Sequence, residues 1–521
     1  PKDTTKKKNI WKINIDKLNL YRTNFRLHMP GDSMVINANF HKAAAQNASI
    51  DLYNKVYRVD GIAWQGGSLT YDKTFVPRMR HGFDAAHIAL NRLNMGVDSL
   101  SYDSTGVSVN VRTANFTEQS GLIVNDLRTR FRLDSTHFYL QPFYLRMPQT
   151  ELKGSVAMAL NAFSAINPGQ LAVSLNGFVR INDLQPLLSG SVPTRFLHAI
   201  PTERIDVNGS LRGNMRNLIL QKLRIGMPQH FALKVNGRIS NLQSPRNLSA
   251  NLALGGSLRD IRFVKRLLPK SIGSTIKIPT GIDFNAKVRA QGTQYHADML
   301  LYEGGGNVAV KADFNKSSQT YNVTARAVNL QLQHFVAKTG LYPFTGMVSV
   351  YGRGLDVLSP KSSLRLKANI TQFRFGNYVL NGINGDIAKR GETTTAHIVS
   401  TNPMLGGDFT YSGKLSAKNV DGHLRGWFRR VDLRQLGVMK DPYVVSAWVD
   451  VDVRSDLKNH HYISGLLHQL VLTSVHKHGE QHLAAGNLDI TASINGAKTA
   501  AHVNGKLDYA NLKGLGLMDK P

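Results

Sequence analysis

Phe143-Tyr144-Leu145-Arg146-Met147-Pro148-Gln149 occurs in three variant copies along this chain. Residues 223–229 read Leu-Arg-Ile-Gly-Met-Pro-Gln, and residues 25–30 read Phe-Arg-Leu-His-Met-Pro. Each copy sets apolar side chains at alternate positions: Phe25, Leu27 and Met29; Phe143, Leu145 and Met147; Leu223, Ile225 and Met227. A period of two places such a set on one face of an extended strand. The proline ends the strand, because it has no N–H for the ladder. A second alternating run follows each time, through Met34, Ile36, Ala38 and Phe40, through Leu152, Val156 and Met158, and through Phe231, Leu233, Val235 and Ile239. Strand, Pro-bearing turn and strand predict a hairpin, repeated along the chain.

The same alternation extends outward. Phe131 and Leu133 precede the second copy, and Leu248, Ala250, Leu252 and Leu254 follow the third. Val308, Val310, Ala312 and Phe314 form another run, and so do Leu364, Leu366, Ala368 and Ile370. A second repeat is superimposed: a short helical segment, a loop and a strong strand. Its helical parts are expected near 182–188, 258–268, 332–336 and 431–436. The strands after them carry Val207 and Leu211, then Phe284 and Val288, then Val348 and Val350, and last Val449 and Val451. The residues between Phe83 and Leu93 are also read as a short helix. Gly66-Gly67 suggests a turn or bulge, and Gly304-Gly305-Gly306, lying between two strands, a hairpin turn rather than a phosphate loop. At about 13 residues per strand and turn the chain predicts on the order of 40 strands. Side by side at ~4.8 Å they would run roughly 190 Å. Their apolar face must either close on itself or stay open for something apolar to cover.

With 64 Lys+Arg against 35 Asp+Glu, the net charge of +29 favours anionic partners. No run of six like charges marks a tail, and the densest cluster is Lys6-Lys7-Lys8. The absence of cysteine excludes disulfides, thiolate metal sites and a cysteine nucleophile. The uncharged run 154–179 has the length to span a bilayer, but Asn161, Asn167, Pro168, Gly169 and Asn176 interrupt it. Residues 1–10 read as a basic linker, and both ends as cuts in something longer.

Taken together, the two repeats resemble the TamB branch of the AsmA-like proteins of the Gram-negative envelope. The stretches that carry the resemblance are Gly82-Phe83-Asp84-Ala85-Ala86-His87-Ile88 with Leu100-Ser101-Tyr102, and residues 131–137. The later strand, short helix and strand cycles match as well. The resemblance implies an all-β, elongated, twisted half-pipe (a β-taco, or repeating β-groove) over residues 11–521, with a few short amphipathic helices. It further implies a missing inner-membrane anchor before residue 1 and a missing C-terminal domain. That domain would meet a TamA-type outer-membrane barrel. Phospholipids passing between inner and outer membranes would be the cargo, and the compartment the periplasm. Candidate groove-lining residues are Phe25, Leu27, Met29, Phe131, Leu133, Phe143, Leu145 and Met147, then Val207, Leu211, Leu223, Ile225, Leu233, Val235 and Leu252. Further along they are Val308, Val310, Phe314, Leu364, Leu366, Ile370, Val449 and Val451. The alternative is an assembly factor that pairs a strand edge with outer-membrane β-strands, and a closed solenoid or adhesin is a third expectation.

Little else carries chemistry. His460, His461, His468, His476, His478 and His482 cluster, and His476 and His478 share a strand face, but only Glu480 could join them, so no metal is expected. Asp450 and Asp452 lie opposite Val449 and Val451 and read as solvated. Residues 258–268 place Arg259, Arg262, Lys265 and Arg266 opposite an apolar stripe, as in a lid or a surface-lying helix. No nucleophile elbow, zinc helix, catalytic carboxylate pair or nucleic-acid motif appears. The expectation is a non-enzymatic protein without cofactor that does not bind nucleic acid.

Overall fold

The structure, a computed structural model, describes residues 11–29, 33–188, 200–244, 246–260, 262–263, 279–335, 340–356, 359–416, 419–437, 440–476, 479–496 and 498–511. Strands make up 73% of it and helix 3%, in open antiparallel sheet that does not close into a barrel. The expectation of an all-β chain holds, and within each unit the sheet is open. Contacts divide the chain into two compact units, Pro1–Gly273 and Ser274–Pro521.

The first unit opens with β1 (Lys12–Met29), β2 (Met34–Asp51), β3 (Val56–Lys73), β4 (His87–Asp103) and β5 (Gly106–Glu118). It continues through β6 (Ile123–Val124), β7 (Asp126–Leu133), β8 (His137–Arg146), β9 (Glu151–Ala159) and β10 (Leu171–Arg180). After α1 (Ile181–Leu188) come β11 (Arg204–Asn214), β12 (Asn217–Met227), β13 (Phe231–Ser240) and β14 (Ser249–Leu258). The second unit holds β15 (Ile282–Gln291), β16 (Gln294–Glu303), β17 (Gly306–Asn315), β18 (Thr320–Gln331), α2 (Leu332–Phe335), β19 (Leu341–Arg353) and β20 (Ser363–Phe375). Then follow β21 (Tyr378–Val379), β22 (Ile383–Arg390), β23 (Thr393–Thr401), β24 (Leu405–Leu415) and β25 (Val420–Asp432). The last are β26 (Tyr443–Ser455), β27 (His460–His476), β28 (Gly479–Asn495) and β29 (Lys498–Ala510). Within each unit a strand pairs with its neighbours in sequence, except that the two-residue β6 and β21 are bypassed by the β5–β7 and β20–β22 ladders.

All three Met-Pro copies sit at hairpin turns. The ladders run up to Met29 opposite Met34, Arg146 opposite Glu151 and Met227 opposite Phe231, with Pro30 outside the described residues. Met147 and Met227 are buried under their turns. The turns also explain why two repeats are superimposed. Gln149 N–H donates to Asp183 Oδ2 of α1 at 2.7 Å, and Arg180 N–H to Thr150 Oγ1 at 3.0 Å. In the next repeat, Arg259 N–H donates to His230 O at 2.8 Å, and His230 Nδ1 bonds Asp260 O at 2.5 Å. The second and third of these turns are thus tied to the segment that follows a later strand.

Several expectations need correction. Residues 83–93 contain no helix: from His87 they belong to β4. The fourth helical segment is a turn over residues 433–437, where Asp432 Oδ1 accepts Gln435 N–H at 2.9 Å. The second shows only a short 3₁₀ turn at Arg262 and Phe263, and the rest of it lies outside the described residues. The described residues form 29 strands, not about 40, because β1–β4, β27 and β28 reach 17 or 18 residues.

The long strands persist because their apolar alternation changes phase without breaking the ladder. Arg22, Asn47 and Arg92 have positive φ (47°, 48° and 55°). They sit where the apolar set moves from Phe25 and Leu27 to Leu18 and Leu20, from Ala43 and Ala45 to Ala48 and Ile50, and from Leu90 to Met95. Elsewhere bulges make the shift, between Leu220 and Leu223, Ala327 and Leu330, and Leu467 and Leu470. A bulge removes a backbone N–H from the ladder, and that donor needs a new acceptor. A neighbouring strand supplies one in each case. Lys222 N–H donates to Asn236 Oδ1 (2.6 Å), Asn329 N–H to Thr345 Oγ1 (3.0 Å) and Gln469 N–H to Asn487 Oδ1 (2.9 Å). Gly66-Gly67, expected as a turn or bulge, lies inside β3 with no register shift in either ladder, but Gly66 (φ 61°) likewise turns its N–H to Asn94 Oδ1 at 2.9 Å.

Close backbone approach makes some glycines obligatory. At Gly465 (φ 147°) a Cβ would lie 2.3 Å from Asp450 O, whereas at Gly496 (φ 62°) it would meet nothing within 4 Å. Gly496→Ala should therefore cost about 1 kcal/mol. Gly465→Ala should cost at least about 2 kcal/mol more. Urea denaturation of the two variants checks the order, and equal midpoints would contradict it.

Candidate functional site

The ladder registers join the apolar sets of neighbouring strands into continuous rows. In the second unit one row runs Ala286, Met299, Val310, Ala325, Val348, Ala368, Gly385 and Ile398. Beside it run Val288, Ala297, Ala312, Val323, Val350, Leu366, Ile387 and Ala396. In the first unit a row passes through Val207, Ile225 and Leu233, and another through Leu211, Leu220 and Leu252's partner Gly237. Aromatic pairs bridge strands on the same face, Phe40 with Trp64 and Phe344 with Phe373 among them.

How deeply these side chains are buried decides what the face can do. Residues inside a closed sandwich are almost wholly buried. Here most are only half-buried: Phe131, Leu133, Phe143, Leu145, Val207, Leu211, Leu223, Ile225, Leu233, Val235, Leu252, Val310, Phe314, Leu364, Leu366, Ile370 and Val449. Val308, Val451 and Met147 are buried. Phe25 and Leu27 are exposed, since among the described residues β1 pairs only with β2, and Met29 lies in β1. A cluster of fully buried apolar residues does exist: Ala162, Leu171, Met215 and Leu218, with Met158 and Leu211 packed against it. It forms where the β9–β10 loop folds over the sheet end and is tied down by Gln243 Nε2 donating to Phe163 O at 2.8 Å. Covering the face buries it; among the described residues most of it is uncovered.

Charge is kept off the rows. Among the described residues the buried charged side chains on this face are Glu118, Glu303 and Lys389, all near strand ends. Glu118 accepts Ser120 N–H at 2.7 Å and Ala89 N–H at 3.3 Å, and Glu303 Oε1 pairs with His334 Nδ1 of α2 at 2.5 Å. Lys389 donates to Ser359 O (2.9 Å), Gly391 O (2.5 Å) and Ser362 Oγ (3.4 Å). The opposite face carries further ion pairs. His296 bridges Asp313 at 2.7 Å and Asp298 at 3.0 Å, and His423 bridges Asp450 and Asp452, both at 3.0 Å. The hydrogen bond to Asp313, then that to Asp298, raises the His296 pKa above the ordinary histidine value.

Of the segments behind the family resemblance, residues 82–86 and 134–136 build loops, and the rest lies in β4, β7 and β8. Asp84 accepts Met79 N–H at 2.8 Å and Ala86 N–H at 3.0 Å, and these bonds, Met79 first, lower its pKa. His87, buried, places Nδ1 2.9 Å from Asp72 Oδ1 and Nε2 2.7 Å from Val76 O. Asp134 caps the next hairpin turn through Thr136 N–H (2.9 Å) and His137 N–H (2.7 Å). No group of three or more His, Cys, Asp and Glu among the described residues is arranged to hold a metal, and His478 lies outside them. His476 Nε2 instead bonds Ser474 Oγ at 2.7 Å, and His482 Nδ1 bonds Thr473 Oγ1 at 3.1 Å. No helix among the described residues is long and apolar enough to cross a membrane.

Simple alternation misses the residues beyond each phase change, including Leu18, Leu20, Trp64, Met95, Val97 and Leu470. The signal for them is an i, i+3 apolar gap, as in Leu220 to Leu223 or Leu467 to Leu470, with polar residues between. No protein-family model matches the chain, and no curated protein matches it significantly.

His87 gives a pH test. Its pKa is raised, chiefly by Asp72 and next by the Val76 carbonyl, against the effect of burial and the nearby Arg78 charge. A raised pKa means that its stabilising contribution is complete below the unfolded histidine value and is lost as pH rises through the folded value. Hydrogen exchange in residues 74–86, corrected for intrinsic rates, should therefore quicken in the wild type as pH rises through the raised His87 value. In His87→Gln it should be fast throughout and show no such step.

Proposed function

We propose that this chain is a stretch of a TamB-like bridge that conducts phospholipid along the uncovered apolar face, between inner and outer membranes in a Gram-negative periplasm. The observation that carries the proposal is the set of half-buried apolar rows, over which the described residues lay no cover. An acyl chain laid along such a row gains about 0.8 kcal/mol per buried CH₂. Its head group stays in water, because nothing encloses it. Small and medium-sized apolar residues are mixed along the rows, so no position holds a lipid much more tightly than the next. Cargo can then slide without any chemical step, and the proposed role is non-enzymatic.

The test is lipid mass spectrometry on the chain purified from a bacterial periplasm in mild detergent. Phospholipid should co-purify. Val310→Glu with Leu366→Glu should cut the bound lipid several-fold while circular dichroism stays unchanged, because both side chains are only half-buried. A folded protein without lipid would overturn the conduit and favour strand-edge pairing with outer-membrane β-barrel proteins and a TamA-type partner.

A further inference from the structure

A second apolar surface stands in water at one end of the first unit's long strands. The loop between β3 and β4 exposes Phe75 (85% exposed), Val76 (41%) and Met79 (49%). Apolar side chains on a loose loop fold back onto the protein. These are held out by a fixed backbone. Thr74 N–H donates to Ser33 O at 3.0 Å, His87 Nε2 bonds Val76 O at 2.7 Å, and Met79 N–H donates to Asp84 Oδ2 at 2.8 Å.

The charges beside them have one sign. Lys73, Arg78, Arg80 and His81 are all exposed. The carboxylates at the loop base are engaged inward, Asp72 with Arg78 (2.6 Å) and His87 (2.9 Å), and Asp84 with backbone N–H groups. The loop's outer side thus combines a large aromatic, two aliphatic groups and cations. Another exposed apolar loop, with Leu160, Phe163 and Ile166 between β9 and β10, lacks this flank: its neighbour Arg216 donates to Ile166 O.

We propose that the 74–86 loop docks the protein on the surface of an anionic phospholipid bilayer. Phe75, Val76 and Met79 enter the boundary between head groups and acyl chains, and Lys73 and Arg80 meet the phosphates. Apolar insertion and attraction of cations to an anionic surface add in such contacts. Docking by this loop does not depend on whether the apolar rows carry lipid.

Co-sedimentation with vesicles tests it on the whole chain. Vesicles of phosphatidylglycerol and phosphatidylethanolamine should bind the wild type better than vesicles of phosphatidylcholine alone, and salt should weaken the preference. Phe75→Ser with Met79→Ser should lower binding about tenfold or more. Arg80→Glu should remove most of the preference for anionic lipid. Both variants should fold normally, because the altered side chains are exposed. In Phe75→Trp, the emission difference from the wild type should shift to the blue on anionic vesicles. The proposal fails if the double serine variant binds like the wild type, if the added tryptophan shows no shift, or if the wild type ignores vesicles. In that last case the loop is a protein-docking surface. Val310→Glu with Leu366→Glu should keep vesicle binding, so failure of docking and failure of the conduit read out separately.

Discussion

Pairing between strands adjacent in sequence is the interaction on which this structure depends. A typical domain is held by a closed apolar core, with the hydrogen-bonded ladders arranged around it. Here fully buried apolar residues are scattered, and the buried cluster at Ala162, Leu171, Met215 and Leu218 is small. The ladders carry the architecture instead. That places a strict demand on the sequence, since a slip of one residue would turn an entire apolar set to the other side. The chain meets it with short Met-Pro turns, with turns capped by Asp134 and Asp432, and with ties such as Gln149 to Asp183.

Bulges and positive-φ residues reconcile long ladders with curvature. A flat antiparallel sheet of 18-residue strands would neither twist nor curl enough to shape a trough. Each bulge bends its strand, and bulges recur at similar places on nearby strands, as between Phe428 and Val431 in β25 and between Leu467 and Leu470 in β27. The freed N–H groups are taken up by Asn94, Asn236, Thr345 and Asn487. At these four bends one polar side chain takes up the backbone donor that the ladder leaves free. The ion pairs of His296 and His423 lie on the other face, where water solvates what remains of their charge.

Much of this was legible in the sequence, for identifiable reasons. Alternation at Phe143, Leu145 and Met147, closed by Pro148, could mean only a strand ending at a turn, and the runs near Val308 and Leu364 were as plain. The segment from Phe83 to Leu93 was misread because its phase change at Arg92 brings apolar residues to i, i+3 spacing, which is also the spacing of a helix face. The same ambiguity shortened the expected strands and raised their number. The turn at 433–437 resembled a helix because Asp432 offers a helix-type cap, but Gly437 ends it within one turn. Alternation located the apolar face, and its exposure could not be read that way. Periodicity records which residues share a side, and only the three-dimensional arrangement shows whether another layer lies over it.

Because every ladder joins neighbours along the chain, the order of assembly is built into the connectivity. A strand needs only the hairpin before it to find its register, so loop closure never spans a long stretch of chain. Such a sheet can grow from one end as polypeptide becomes available, as repeat proteins do, with each added strand templated by the last. Damage is confined in the same way. A misplaced strand disturbs its two neighbours and leaves more distant ladders paired. A chain that folds by extension at a growing edge has no need to wait for its far end.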